Sequence, residues 1–281
     1  MSNEKDEKYL NPFSDFGFKK LFGEEANKDL LINFLNSLLS LKYKIVELNF
    51  RKNEQLGNTE LNRKAIFDLY CQDERGQRFI VELQKAEQKF FKDRTIYYST
   101  FPIQEQAIKG EWNYKLDPVY CIGILDFVFD EDKNNEKQYL YKVGLSDLKT
   151  KKLFYDKLFF IYIAVPKFKK KDNELENDIE KWVYFLKNLT KFKEIPDVLK
   201  SEMFMKAFQI AEIANFTAKE RDSYQESIKY YNDLKNSIDK SFEDGEIKEK
   251  FKIAKNLKDL GIETEKISKA TGLTIKEIED L

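Results

Sequence analysis

The chain contains no histidine. That absence excludes Ser–His and Cys–His nucleophilic sites, HExxH metalloproteases and zinc centres with imidazole ligands. Any chemistry must come from carboxylates, lysine, tyrosine, amides or water on a metal. Cysteine is nearly absent too: Cys71 and Cys121 stand far apart, each in an apolar run. They read as small core residues, with no disulfide framework and no redox pair. No apolar run approaches the ~20 residues needed to span a bilayer, and the start, Met1 to Lys8, is too polar for a signal peptide. A soluble, cytoplasmic protein without a membrane partner is expected. Neither sign of charge dominates, with 49 Lys and Arg against 50 Asp and Glu. A nucleic-acid partner would have to be met by a local patch or by metal-bridged phosphates.

What is present is aromatic and apolar: 24 Phe, 15 Tyr and a 42% hydrophobic content support a sizeable core. The 281 residues suffice for one catalytic domain with a helical appendix, or for two small domains. Leu30, Leu31, Phe34, Leu35, Leu38 and Leu39 recur at helical spacing, with Asn27 as a cap. Residues 44–50 alternate as a strand, and 53–62 read as a loop around Gly57 and Asn58.

Two lone acids then interrupt apolar runs: Asp68 within Ala65–Tyr70, and Glu82 within Phe79–Gln84. The intervening segment reads as a hairpin with a three-residue loop, Glu74-Arg75-Gly76, and Gly76 in the left-handed conformation. That register pairs Asp73 with Gln77, Tyr70 with Ile80 and Asp68 with Glu82. Opposed residues on one face have Cβ atoms roughly 5 Å apart. Two carboxylates so placed repel, and burying charge among Ile, Val, Phe and Leu is costly. Something positive between them resolves both problems, and oxygen ligands suit a hard cation such as Mg²⁺, with Mn²⁺ or Ca²⁺ as alternatives. The alternative is a structural network with buried lysines. Lys85 falls on the face opposite Gln84 by alternation.

After Gln84 the spacing of Phe90, Phe91, Arg94, Tyr97, Tyr98, Phe101 and Ala107 predicts a helix reaching Gly110, kinked or split at Pro102. Arg94 with Tyr97 or Tyr98 shares a helix face and is a candidate for phosphate-backbone contact, core packing being the alternative. Residues 118–129 form a continuous apolar run, as in a strand covered on both faces; 139–148 and 158–165 read as further strands. The order of helix, three strands, helix and more strands gives an α/β core over residues 1–170. Helices at 173–190, 196–215 and 217–260 form a region 171–260; its last, charged helix is a candidate for assembling homo-oligomers. Residues 261–281 resemble a short helix-turn-helix joined at Thr271 and Gly272. Three lysines against five acids in the last 20 residues make that tail a poor major-groove reader. The runs Lys149–Lys152 and Lys167–Lys171 are local basic patches or solvated loops.

Asp68, then Glu82-Leu83-Gln84 on the next strand, then a helix, resembles the PD-(D/E)XK nuclease superfamily with glutamine in place of the terminal lysine. With Asp15 to Gly23 and Asp93 to Tyr98 added, the chain resembles the Rpn family of recombination-promoting nucleases and transposases. The tail from Lys266 to Leu273 is also similar to tails of that family. The resemblance implies a restriction-endonuclease-like core of a mixed sheet flanked by helices, and a Mg²⁺-dependent DNA endonuclease linked to recombination or mobile elements. Asp68 and Glu82 would hold the metal, with the Leu83 carbonyl as a third oxygen. Gln84 would take the place of a lysine that orients the attacking water; a glutamine can hydrogen-bond but brings no charge. Asp15 would be an added acid near the metal, or a helix cap on its own sequence reading. Lys19, one turn on, would stand near a phosphate or replace the missing lysine, or be solvated. Two other readings stay open: a nuclease-derived DNA-binding protein that has lost turnover, and an assembly protein.

Overall fold

The computed structural model describes residues 7–39, 41–52, 54–55, 65–86, 90–107, 112–132 and 138–281. The expected loop at Gly57 and Asn58 lies outside them; the helix expected to reach Gly110 stops at Gln104. The chain divides into two compact units, Met1–Lys229 and Tyr230–Leu281.

In the first unit, strands β1 (Leu48–Phe50), β4 (Leu69–Asp73), β5 (Arg78–Gln84), β6 (Val119–Leu125), β7 (Leu140–Ser146) and β8 (Leu153–Ala164) form one mixed sheet in the order β1-β4-β5-β6-β8-β7. A separate two-stranded piece pairs β2 (Glu54–Gln55) with β3 (Ala65–Ile66). The β4–β5 hairpin is antiparallel, and β5, β6 and β8 run parallel. Every residue of β6 is buried, as its unbroken apolar run requires.

The hairpin register is the expected one. Tyr70 pairs with Ile80, and Asp73 N–H donates to the Gln77 carbonyl at 3.0 Å. Gly76 has φ +83°, and a Cβ there would stand 2.6 Å from an Asp117 carboxylate oxygen, so glycine is required twice over. One expectation fails: residues 65–70 are not a single strand. Ala65 and Ile66 pair with β2, the chain bends at Asp68, and the main sheet begins at Leu69. Asp68 therefore sits at the mouth of the hairpin rather than inside a strand.

Helix α3 (Phe91–Gln104) links β5 to β6 and covers one sheet face, packing Phe91, Tyr98 and Phe101 with Phe67, Tyr70, Ile80, Cys121 and Tyr162. Pro102 does not split it; the helix ends two residues later. Helices α1 (Asp15–Phe22), α2 (Lys28–Leu38), α4 (Asp178–Asn188) and α5 (Glu202–Ala211) build a second core. There Trp182, fully buried, meets the rings of Phe22, Phe34 and Phe204 with centroids 5.6, 6.0 and 4.7 Å away. Where a boundary is expected near residue 170, this aromatic cluster joins the later helices to α1 and α2, and the compact unit continues to Lys229.

Asn27 precedes α2, but its side chain makes no cap bond to that helix; it donates to the Lys20 carbonyl at 2.9 Å. Lys167, in the second basic run, is buried and donates to Tyr141 Oη at 2.8 Å, so it serves packing rather than the surface. Helix α6 spans Ala218–Asp259. In the second unit, α7 (Thr264–Thr271) and α8 (Ile275–Glu279) pack Ile267, Leu273 and Ile278 around Ala254, with Thr274 and Glu277 forming a capping box. Among the described residues, no helix is long and apolar enough to cross a membrane.

Candidate active site

The two acids are brought together at the open end of the β4–β5 hairpin. Asp68 N–H donates to Glu82 Oε1 at 3.1 Å, and Leu83 N–H donates to Asp68 Oδ2 at 2.7 Å. Both side chains keep partial solvent access. The Leu83 N–H points towards β4, and N–H and C=O of one strand residue point to the same side. The Leu83 carbonyl thus lies on the side of Asp68, while Gln84 turns its own carbonyl to Asp126 N–H on the β6 side.

Burial, followed by the charge of Asp68, pushes the Glu82 carboxyl well above the ordinary carboxylate range. Burial also raises Asp68; the Leu83 N–H opposes it, and Asp15 adds to it. Among the described residues, no three His, Cys, Asp or Glu side chains converge to hold an ion. Two carboxylates and a backbone carbonyl offer only hard oxygen here, a set that would fit a divalent cation keeping several waters.

Helix α1 brings its first turn near the pair. Asp15 is exposed and ion-paired with Lys19 at 2.9 Å. It is not the helix cap: Ser14 is, its Oγ accepting from Gly17 N–H at 3.0 Å. Both charges of that ion pair act on Asp68 in opposite senses. So does Lys85, whose own pKa burial depresses, with Asp15 and Asp68 opposing. Strand alternation assigns Lys85 to the opposite face, but β5 ends at Gln84 and alternation ends with it. Lys85 is a neighbour of the site that strand periodicity conceals.

Gln84 is buried and held at both ends. Its Nε2 donates to the Ala86 carbonyl at 2.8 Å, and its Oε1 accepts from Arg94 Nη2. Arg94 lies over the rings of Phe91 and Tyr98, 5.5 and 5.6 Å from their centroids. Of the two tyrosines on α3, Tyr98 shares the face of Arg94 and packs edge-on against Phe67, whereas Tyr97 is exposed and meets Phe101.

Gly123 is a further site residue that the sequence reading misses. It pairs with Glu82 across the parallel ladder and with Tyr162 on its other side, and lines a small pocket with Glu82, Arg94 and Tyr98. A Cβ there would stand 3.0 Å from Tyr162 Cδ1 and 3.2 Å from Leu125 Cδ2. The available signal was a lone glycine inside an apolar strand, which marks close approach of neighbours. Gly123→Val is expected to destabilise the fold by about 1–3 kcal/mol through overpacking, read as a lower urea midpoint with unchanged slope; an unchanged midpoint would show that the pocket yields.

The sequence pattern of the PD-(D/E)XK nuclease family transposase matches residues 12–241 of the 281. The chain belongs to this family. The mixed six-stranded sheet, its flanking helices and the C-terminal helical region are those of a PD-(D/E)XK nuclease fold. The match runs from the residue before Phe13 through the hairpin and into α6, so it takes in Asp15, the acid pair and Arg94. No curated protein and no solved structure matches the chain. PD-(D/E)XK nucleases generally use divalent metal ions, in keeping with the all-oxygen donor set of the acid pair.

Proposed function

We propose that this PD-(D/E)XK family protein is a metal-dependent DNA endonuclease acting in the cytoplasm on mobile or recombining DNA, with Mg²⁺ as its ion. The observation that carries the reading is the repelling acid pair at the hairpin mouth, each acid oriented by one backbone N–H. Asp68 and Glu82 hold the ion, and the Leu83 carbonyl supplies a third protein oxygen. When bound, the ion polarises the scissile phosphate and provides a nucleophile at neutral pH. The protein's part is geometric. The Leu83 N–H fixes the rotamer of Asp68, the Asp68 N–H fixes Glu82, and Asp15 and Lys19 form the rim on the α1 side. Lys19 presents an ammonium to the phosphate backbone, and Tyr97 on α3 presents an exposed ring.

Supercoiled plasmid incubated with the full-length protein in Mg²⁺, Mn²⁺, Ca²⁺ or EDTA tests this. Nicked product in Mg²⁺ or Mn²⁺ but not in EDTA is expected. If no metal gives a cut while the protein still retards DNA in a gel, the endonuclease reading falls and the chain is a binding protein on a nuclease fold.

A further inference from the structure

We infer that Arg94 is the positioning residue that brings fixed positive charge to the acid pair, acting through Gln84. The inference rests on the reading of Asp68 and Glu82 as a metal-dependent cleavage site, and it removes Arg94 from the set of DNA-backbone contacts.

The geometry begins with what holds Arg94. Its guanidinium lies over Phe91 and Tyr98 at 5.5 and 5.6 Å from the ring centroids. A planar cation stacks on aromatic faces where a compact ammonium does not. One of its amino groups donates to Gln84 Oε1, and a bond with an ionised donor is roughly twice as strong as a neutral one. Arg94 and Glu82 line the same pocket.

Gln84 completes the argument. With Nε2 donating to the Ala86 carbonyl and Oε1 accepting from Arg94, its orientation is fixed. It bridges the strand to the helical arginine. A lysine at position 84 would put its charge at the end of β5; here the charge enters from α3, one turn after the helix begins. A side chain stacked between rings and bonded to a buried amide is poorly free to follow a phosphate backbone.

The test compares wild type, Arg94→Gln, Arg94→Lys and the double variant Gln84→Lys/Arg94→Gln. Three quantities are read: single-turnover plasmid nicking in Mg²⁺, duplex affinity by fluorescence anisotropy in EDTA across a salt series, and Tm. Arg94→Gln is expected to lower the cleavage rate about 100-fold, the scale of removing one group aimed at developing charge. DNA affinity and its salt dependence should stay at the wild-type value. The double variant should recover most of the rate, because its lysine restores the charge, and Arg94→Lys should fall between. Three outcomes would overturn the inference: wild-type cleavage by Arg94→Gln; weaker DNA binding with a salt slope reduced by about 1, the signature of a lost phosphate contact; or a fall in Tm with no recovery in the double variant, which would make Arg94 a packing residue. If Arg94→Gln does not fold, Arg94→Lys and the double variant carry the same comparison. A wild type silent in every metal overturns the nuclease reading itself and this inference with it, and is distinguishable because all four proteins are then silent alike.

Discussion

Asp68→Asn is expected to lower metal-dependent cleavage on the order of 10³-fold while leaving the protein as stable as wild type or more so. Asparagine keeps the size of the side chain, and its carbonyl oxygen can still accept the Leu83 N–H at Oδ2. What it loses is one of two anionic oxygens offered to the ion. Lewis-acid stabilisation amounts to several kcal/mol, and each ~1.4 kcal/mol is tenfold in rate. The stability half follows from the same charge. Glu82 is pushed up by burial and then by Asp68, so the folded state binds a proton there more tightly than the unfolded chain does. A raised carboxyl pKa means stability falls as pH climbs from the ordinary carboxylate range through the raised value. Asp68→Asn removes the like charge, so the fall between pH 5 and 8 should shrink. Nicking assays and thermal melts across that range, on one preparation, check both halves. Residual cleavage near wild type would show that Asp68 is no ligand. A large loss of Tm would show that its charge holds the fold.

Trp182→Ala is expected to cost about 3–5 kcal/mol, the usual range for a fully buried large aromatic. Since domain stability is generally about 5–15 kcal/mol, that is a large share of the whole. Trp182 touches α1 through Phe22, α2 through Phe34 and α5 through Phe204, and its indole N–H donates to Asn33 Oδ1 at 2.8 Å. No surrounding helix can collapse into the void without leaving another. Trp182→Phe keeps most of the ring contact and loses the hydrogen bond, so its cost should be clearly smaller. Urea unfolding followed by far-ultraviolet circular dichroism gives both values. A loss under about 1 kcal/mol for the alanine variant, the level of a surface change, would mean that the helices from residue 178 onward are an appendage and not part of the core.

What was legible in the sequence was local. The hairpin register follows from Gly76 and from two alternating strands, and the structure reproduces it from the turn as far as Leu69 and Val81; Asp68, expected opposite Glu82 in the ladder, lies just beyond its end and meets Glu82 through a backbone N–H instead. Helix α2 follows from its leucine spacing, and β6 from its unbroken apolar run. What was not legible depends on distant partners. The bend at Asp68 exists because Ala65 and Ile66 pair with β2 rather than with β5, and nothing within 65–70 announces it. Strand β8 begins at Leu153, five residues before its apolar stretch, because the early part pairs only with β7 and is largely exposed. Lys85 is hidden because strand alternation does not hold one residue past the end of β5. For Arg94, the sequence gives a helix face without saying that the face looks at Gln84. The Trp182 core escaped because it joins helices 140 residues and more apart along the chain.

The hairpin turn has one more consequence. Glu74, Arg75 and Gly76 form a surface loop, the kind of place where insertions are ordinarily tolerated. Here the loop is also the ruler that sets Asp68 against Glu82 from the far end of two strands. One added residue would slide β5 by a position along β4, and a slide of one turns every side chain of a strand to the other face. Glu82 would then look away from Asp68 with neither acid altered. In evolutionary terms, the length of this turn should be as constrained as the identity of the acids, although it lies at the opposite end of the hairpin from them.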